Sequence, residues 1–303
     1  MRLRVGLAAV ALVALASGRA AAQDLGHKLP GTLGLQAGSQ PKAGLYVADR
    51  LVFYTSSAVF DRTGARLPVD VSAQGFANGF GVSGSYELPR LRTFVNATVA
   101  LPLARVVGRI GDRPEASFDR FGLADVYIQP LRLGWRLPHL DVVAGYAFYI
   151  PTRRFVPGGQ GNLGRGAWSH EATLGATLFV DGARSWHVSA LASYEHNERK
   201  LGVDLTRGAT VQIQGGAGAT FARVVDAGVV GYALWQVTDD SGAALPPSLR
   251  GARDRVYGLG AELGATIASA RTRINVRYVH DLAVRSRPSG QLFLIGVTFA
   301  ASP

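Results

Sequence analysis

From Gly44 to the end, apolar and polar residues alternate with a period of two, the mark of strands with one greasy and one wet face. The clearest case is Arg273–Phe299. Ile274, Val276, Tyr278 and Leu282 are apolar, and Asn275, Arg277 and Asp281 stand between them. A turn-forming stretch, Arg287-Pro288-Ser289-Gly290, reverses the chain, and Phe293, Ile295, Val297 and Phe299 then share one face. In Trp168–Val180, Ser169, Glu171, Thr173, Gly175 and Thr177 oppose Ala172, Leu174, Ala176 and Leu178. In Trp186–Asn197, His187, Ser189, Ser193, Glu195 and Asn197 oppose Val188, Ala190, Ala192 and Tyr194. In Arg255–Leu263, Gly258, Gly260 and Glu262 oppose Tyr257, Leu259, Ala261 and Leu263.

Twelve strands are expected, over 44–56, 72–88, 93–107, 122–137, 140–154, 167–180, 186–198, 209–222, 227–239, 254–267, 272–284 and 291–299. Their connections alternate between short (Pro89–Leu91, Pro138-His139, Asp181–Arg184, Val224–Asp226, Ala268–Ala270) and long (57–71, 108–121, 155–166, 199–208, 240–253). That two-beat rhythm suits an up-and-down barrel with tight turns at one end and outer loops at the other; soluble sandwiches lack it. An even number of strands closed into a ring leaves no open edge, which hydrocarbon demands. Burying an unpaired carboxylate in an apolar layer costs several kcal/mol, roughly, so the Glu and Gln row is assigned to a lumen and the aliphatic row to lipid. The fold class is therefore an all-β, transmembrane, antiparallel up-and-down β-barrel. One strand fits poorly: Pro130 interrupts its alternation, and Arg132 shares the parity of Ile128. Either a bulge at Pro130 flips the register or Arg132 snorkels at the interface.

Composition narrows this further. Glycine, 38 of 303 residues, fits short strands and tight turns better than helices. The absence of cysteine excludes disulfides and thiolate metal sites. Met1-Arg2-Leu3-Arg4, the apolar run Val5–Ser17 and Ala20-Ala21-Ala22 read as a secretory signal peptide over residues 1–22, the run being shorter than the ~20 residues that a membrane helix needs. Its removal takes three arginines and no acid from a formal charge of +11. The remaining cations are scattered, so no nucleic-acid partner is expected; they suit lipid headgroups, turns and a lumen. Residues 23–43 have no clear period and form an irregular segment, read either as a flexible leader or as a plug inside the barrel. The barrel follows over 44–299, with a short tail over 300–303.

A twelve-stranded lumen is wider than the side-chain-filled eight-stranded case. Its expected lining, and the candidate solute path, is Glu171, Glu195, Tyr232, Gln236, Glu262, Asn275, Arg277 and Asp281, against the alternative that these charges are structural ion pairs. Of the aromatics Tyr146, Phe148, Tyr149, Tyr232 and Trp235, those near strand ends, with Trp168 and Trp186, fit interfacial girdles. No catalytic residue is assigned: Ser169/His170 and Ser193/His196 differ in parity, and no nucleophile-elbow motif is present. No metal site or cofactor is expected; Asp239-Asp240-Ser241-Gly242 reads as a solvated turn. The glycine-rich run 157–166 has no following Lys-Ser/Thr and reads as an outer loop. Arg153, Arg154 and Arg165 beside it suit the phosphates of lipopolysaccharide.

The segments GLADVYIQPLRLGWRL, GYAFYIPTRRF, NLGRGAWSHEATLGATLF, SYEHN, YALWQVTDDSG, RVYGLGAEL and VRYVHDLAVRSRPSGQLFLIGVTF, in this order, resemble the MetA-pathway of phenol degradation family, as does LPGTLGLQAGSQP near the start. The resemblance implies a bacterial outer-membrane barrel, delivered by the barrel-assembly machinery and associated with passage of small hydrophobic or aromatic compounds. Such barrels commonly end on an aromatic residue, whereas here Phe299 is followed by Ala300-Ala301-Ser302-Pro303. The functional expectation is a passive channel for a small hydrophobic solute. The alternatives are a non-transporting structural or surface barrel and an outer-membrane lipid hydrolase.

Overall fold

The computed structural model describes residues 27–110, 117–152, 154–156 and 162–302. The expected signal peptide, residues 23–26, Arg153 and the stretch 157–161 of the glycine-rich loop lie outside the described residues. The strands are β1 (Gly44–Phe60), β2 (Val71–Leu88), β3 (Thr93–Ile110), β4 (Phe118–Leu123), β5 (Val126–Arg136), β6 (Leu140–Ile150), β7 (Ser169–Phe179), β8 (Trp186–Asn197), β9 (Thr210–Phe221), β10 (Val225–Gln236), β11 (Arg255–Ile267), β12 (Thr272–Arg285) and β13 (Arg287–Ser302). Every pairing is antiparallel between neighbours, and β13 returns to pair with β1. Strands β4 and β5 both pair with β3, at Leu103–Gly108 and at Thr93–Ala100, so they are two pieces of one stave. The result is a closed twelve-stranded antiparallel barrel.

Burial is inside out relative to a soluble protein. On β7, Glu171 is 1% exposed while Leu174, three residues on, is 62% exposed. Leu259, Leu263, Leu282 and Val229 are likewise exposed, while Glu262, Arg277 and Asp281 are buried. Water would penalise such a surface, whereas acyl chains accept it. Aromatic pairs sit on the outer face near both ends. Trp235 donates to the Tyr257 hydroxyl at 3.0 Å towards the long-loop end, and Trp186 packs edge-on against Phe221 at the short-turn end.

The short turns close in compact ways. Pro89–Leu91 and Ala268–Ala270 each make one 3-10 turn and are followed by an arginine in the left-handed region, Arg92 and Arg271. Asp181 caps the β7–β8 turn, its carboxylate accepting the Ser185 and Trp186 amides at 2.8 Å. Those hydrogen bonds hold its carboxyl below the usual range.

Several boundaries differ from expectation; Phe118–Phe121, expected within the loop 108–121, is strand in β4, and β3 runs on to Ile110 to pair across to β2. The reversal between β12 and β13 is at Ser286 (φ 54°), not at Arg287–Gly290. Those four residues are strand because β1 reaches past its expected end to meet them, pairing Phe60 with Arg287, Val59 with Pro288 and Ser56 with Gly290. Residues Ala300–Ser302 also continue β13 against Leu45 and Tyr46. The misfit at Pro130 resolves as a bulge. The register slips between Ile128 and Leu131, putting Pro130 and Leu131 outside and returning Arg132 to the lumen.

Candidate functional site

The lumen holds residues 27–41 of the chain itself. Backbone inside a barrel finds no sheet partner, so the polar groups left over by its own turns, where the Ala37 amide donates to the Gly34 carbonyl and the Ser39 amide to the Gln36 carbonyl, must be met by the wall. They are. The Gly31 and Leu33 amides donate to Gln214 at 2.9 and 3.1 Å, the Leu35 amide to Glu262 at 3.2 Å and the Gly38 amide to Ser189 at 2.8 Å. Arg277 donates to the Gly31 carbonyl at 3.0 Å, and Arg132 to the carbonyls of Ala37 and Ser39 at 3.1 and 3.0 Å.

The same segment supplies the apolar interior. Leu35 packs on Val230, Val279 and Tyr232; Leu33 and Ala37 on Val143 and Leu191; Leu29 on Val52, Leu292 and Leu294. Leu35 fits because the facing wall is glycine: a Cβ on Gly228 would stand 2.6 Å from its side chain and one on Gly218 3.0 Å. Gly34 is needed for the same reason on the segment, where a Cβ would overlap Glu262.

Charges pin the segment along its length. Lys28 pairs with Glu171 at 2.9 Å. His27 bonds Asp125 at 2.8 Å and stacks on Tyr149, ring centroids 4.4 Å apart, while its amide donates to Glu195 at 3.3 Å. Asp125 lies in the break between β4 and β5 and also accepts the Thr152 amide at 3.0 Å and the Arg165 amide at 2.5 Å. It thus ties the segment to the 151–168 loop. The Arg277–Glu262 pair, 2.6 and 2.9 Å, shares its carboxylate with the Leu35 amide.

Of the eight residues expected to line a path, Glu171, Glu195, Glu262 and Arg277 therefore hold the segment. Tyr232 donates to Asp281, which also accepts the Gly290 amide at 2.8 Å. Gln236 bridges Asp240 at 2.7 Å and the Asp254 amide at 3.2 Å. Asn275 is half-buried at the short-turn end beside Gly296. The aromatics divide by parity, with Tyr149 and Tyr232 facing inward and Tyr146, Phe148 and Trp235 outward.

Beside the segment a cavity of about 2010 Å³ remains, and Glu171 is the member of that set on its wall. The cavity lies against β1–β5 because the inward row of β2 is small: Gly75, Ala77, Gly79, Gly81 and Ser83. Ala100, Pro102, Ala104 and Gly108 of β3 continue that shallow wall. Lining residues extend from Lys42, Tyr46 and Thr298 at the short-turn end to Phe60, Asp61 and Pro246–Arg250 at the other. Between them stand Arg50, Tyr54, Tyr127 and Arg132, which the sequence reading did not single out as a path. The usable signal was the run of Gly, Ala and Ser at alternate positions of β2, where a stave contributes no filling. At the outer mouth Asp61 accepts from the Thr63 hydroxyl (2.7 Å) and from the Thr63 and Ala65 amides, which hold its carboxyl below the usual range.

The model of the family described as "Putative MetA-pathway of phenol degradation" matches residues 61–295. The chain belongs to that family. In fold, this family member is similar to the COG4313 outer membrane channel from Pseudomonas putida F1, with a TM-score of 0.76 and 14% identity over 90% of this chain and 99% of that one. The β domain of the Bordetella autotransporter BrkA gives a TM-score of 0.47 at 11% identity, covering 84% and 99% of the two chains. The CymD monoaromatic hydrocarbon channel gives 0.45 at 10%, covering 86% and 89%. The chain matches no curated protein in sequence. A sealed cylinder with an aliphatic outer surface and aromatic belts is a bacterial outer-membrane barrel.

Proposed function

We propose that this barrel is a channel through which small hydrophobic or aromatic molecules cross the outer membrane by passive diffusion, along the cavity beside the N-terminal segment. The observation that carries the reading is that cavity. It is large enough for a single-ring compound, and its lining includes Leu29, Leu33, Val52, Tyr54, Tyr127 and Tyr149, which offer apolar and ring contact. Residues 27–41 narrow the lumen by occupying the wall opposite, so their seating sets the width of the passage. The charges that hold them act as structure, and Glu171, paired with Lys28, is where the segment and the path meet.

The test is single-channel conductance together with uptake of phenols into liposomes carrying the protein, compared with a variant lacking residues 24–42. Conductance and uptake in the full chain, both larger in the variant, are expected. Their absence from both proteins removes the channel reading and leaves a structural or surface barrel. The fold is similar to that of an outer-membrane channel, and among the described residues Ser169 and His170 do not pair: Ser169 donates to Asn197 at 2.6 Å, while His170 lies on the outer face with Tyr146 and Glu198.

A further inference from the structure

The cavity wall is charged, and unevenly. Its lining holds twelve Lys and Arg side chains against three carboxylates, Asp61, Asp125 and Glu171. Each carboxylate is already engaged: Asp61 by its own turn, Asp125 by His27 and two amides, Glu171 by Lys28. Several cations are not. Arg50, Arg120 and Arg287 have no carboxylate within ion-pairing distance among the described residues. Arg287 is 3% exposed, yet its Nε and Nη1 have no hydrogen-bond partner, and the nearby Tyr54 hydroxyl and Ser286 Oγ lack partners too. Arg120 has its guanidinium 4.8 Å from the Phe118 ring, and its Nε is unpartnered. Cations on a cavity wall with no carboxylate beside them leave their charge uncompensated by the wall, and the passage between them carries a positive potential.

We propose that the passage selects anions, and that its solutes are small amphiphilic carboxylates, an apolar or aromatic body bearing one acid group. This rests on the channel reading and names the solute class for it. Arg120 and Arg287 stand towards the outer mouth, and Arg50 stands further down β1. A carboxylate entering from outside passes under the positive charge of Arg120 and Arg287 and then reaches Arg50, while the body of the solute rides on the aliphatic and tyrosine surfaces between them. Guanidinium groups suit this task because they stay charged and bind a carboxylate in a planar, two-pronged way. Cationic linings of this kind select for anions in other pores.

The experiment uses the full chain in a planar bilayer. Under a potassium chloride gradient the reversal potential should have the sign of chloride selectivity. Benzoate should interrupt the current more often than benzyl alcohol, its neutral counterpart. The Arg50→Gln/Arg120→Gln/Arg287→Gln variant, shown to be folded by its heat-modifiable gel mobility, should lose the chloride preference and show about tenfold fewer benzoate interruptions, the loss expected for one charge-assisted hydrogen-bond site. If the triple variant fails to fold, Arg50→Gln alone should shift the reversal potential towards zero. A conducting wild type that prefers potassium, or equal interruption by benzoate and benzyl alcohol, overturns the inference and leaves the channel standing. No conductance at all removes both.

Discussion

Leu35→Ala should release the N-terminal segment without unfolding the barrel. Leu35 is fully buried, packed against Val230, Val279 and Tyr232 in a recess left by Gly216, Gly218 and Gly228. Truncating a buried leucine costs ~2–5 kcal/mol, towards the upper part when the surroundings cannot collapse. A hydrogen-bonded barrel wall collapses poorly, so ~3 kcal/mol is a fair figure. At about 1.4 kcal/mol per tenfold, the ratio of seated to released segment falls roughly a hundredfold. None of that loss falls on the sheet, since Leu35 belongs to no strand. The assay is trypsin cleavage after Lys28, which pairs with Glu171 when the segment is seated, followed by mass spectrometry on the detergent-purified barrel. Where opening and closing outpace cleavage, the rate follows the released population and should rise by the same factor. Leu35→Met, which conserves volume, should change it by less than about tenfold. Cleavage of Leu35→Ala at the wild-type rate, in a barrel of unchanged gel mobility, would refute the claim that apolar seating holds the segment.

Arg277→Met leaves the Glu262 carboxylate buried beside the Leu35 amide without its partner, and should lower the denaturation midpoint by the equivalent of ~3–5 kcal/mol; the Arg277→Met/Glu262→Leu double variant should recover most of it, and equal losses would argue against coupling. Leu259→Arg, on the outer face midway along β11, should destabilise the barrel in lipid by ~2–4 kcal/mol, whereas a neutral effect would mean that this face does not meet acyl chains. For Asp61, whose folded-state carboxyl titrates below the usual range, the turn's contribution to stability should be complete above the ordinary Asp value and fade as pH falls through the depressed one. Amide shifts of Thr63 and Ala65 should report that midpoint; a value at or above the ordinary one contradicts the hydrogen-bond account.

The barrel was legible because a lipid-facing strand must write its two faces alternately, and β7, β8, β11 and β12 do so with charged or amide residues on the inner row. Where several inner positions are glycine or alanine, as on β2 and β3, the wet face carries little polarity; that run marks where no side chain fills the lumen, but not which residues of other staves border the gap. Pro130 announced an irregularity. Which way it resolved depended on Arg132 having the Ala37 and Ser39 carbonyls to bind, two groups about 95 residues away in the chain. The lumen charges on Glu171, Glu262 and Arg277 were identifiable by parity, but their occupant was not. Residues 27–41 have no period because they obey the wall, and a segment whose partners are scattered from β1 to β13 leaves no local signature. Asp125 was missed for a related reason: its role comes from a break between β4 and β5, visible only once both pair with β3.

The contacts that lock the segment join Gly31 to Arg277 and Leu35 to Glu262, separations of 246 and 227 residues. Polypeptide emerging first must therefore wait for hairpins made last, a long loop to close before any reward arrives. Until β11 and β12 are in place the early stretch has no berth, and seating it becomes a late, slow event in biogenesis. An intermediate with a finished cylinder and an empty bore should thus precede the mature protein, and would be the form most open to attack by periplasmic proteases.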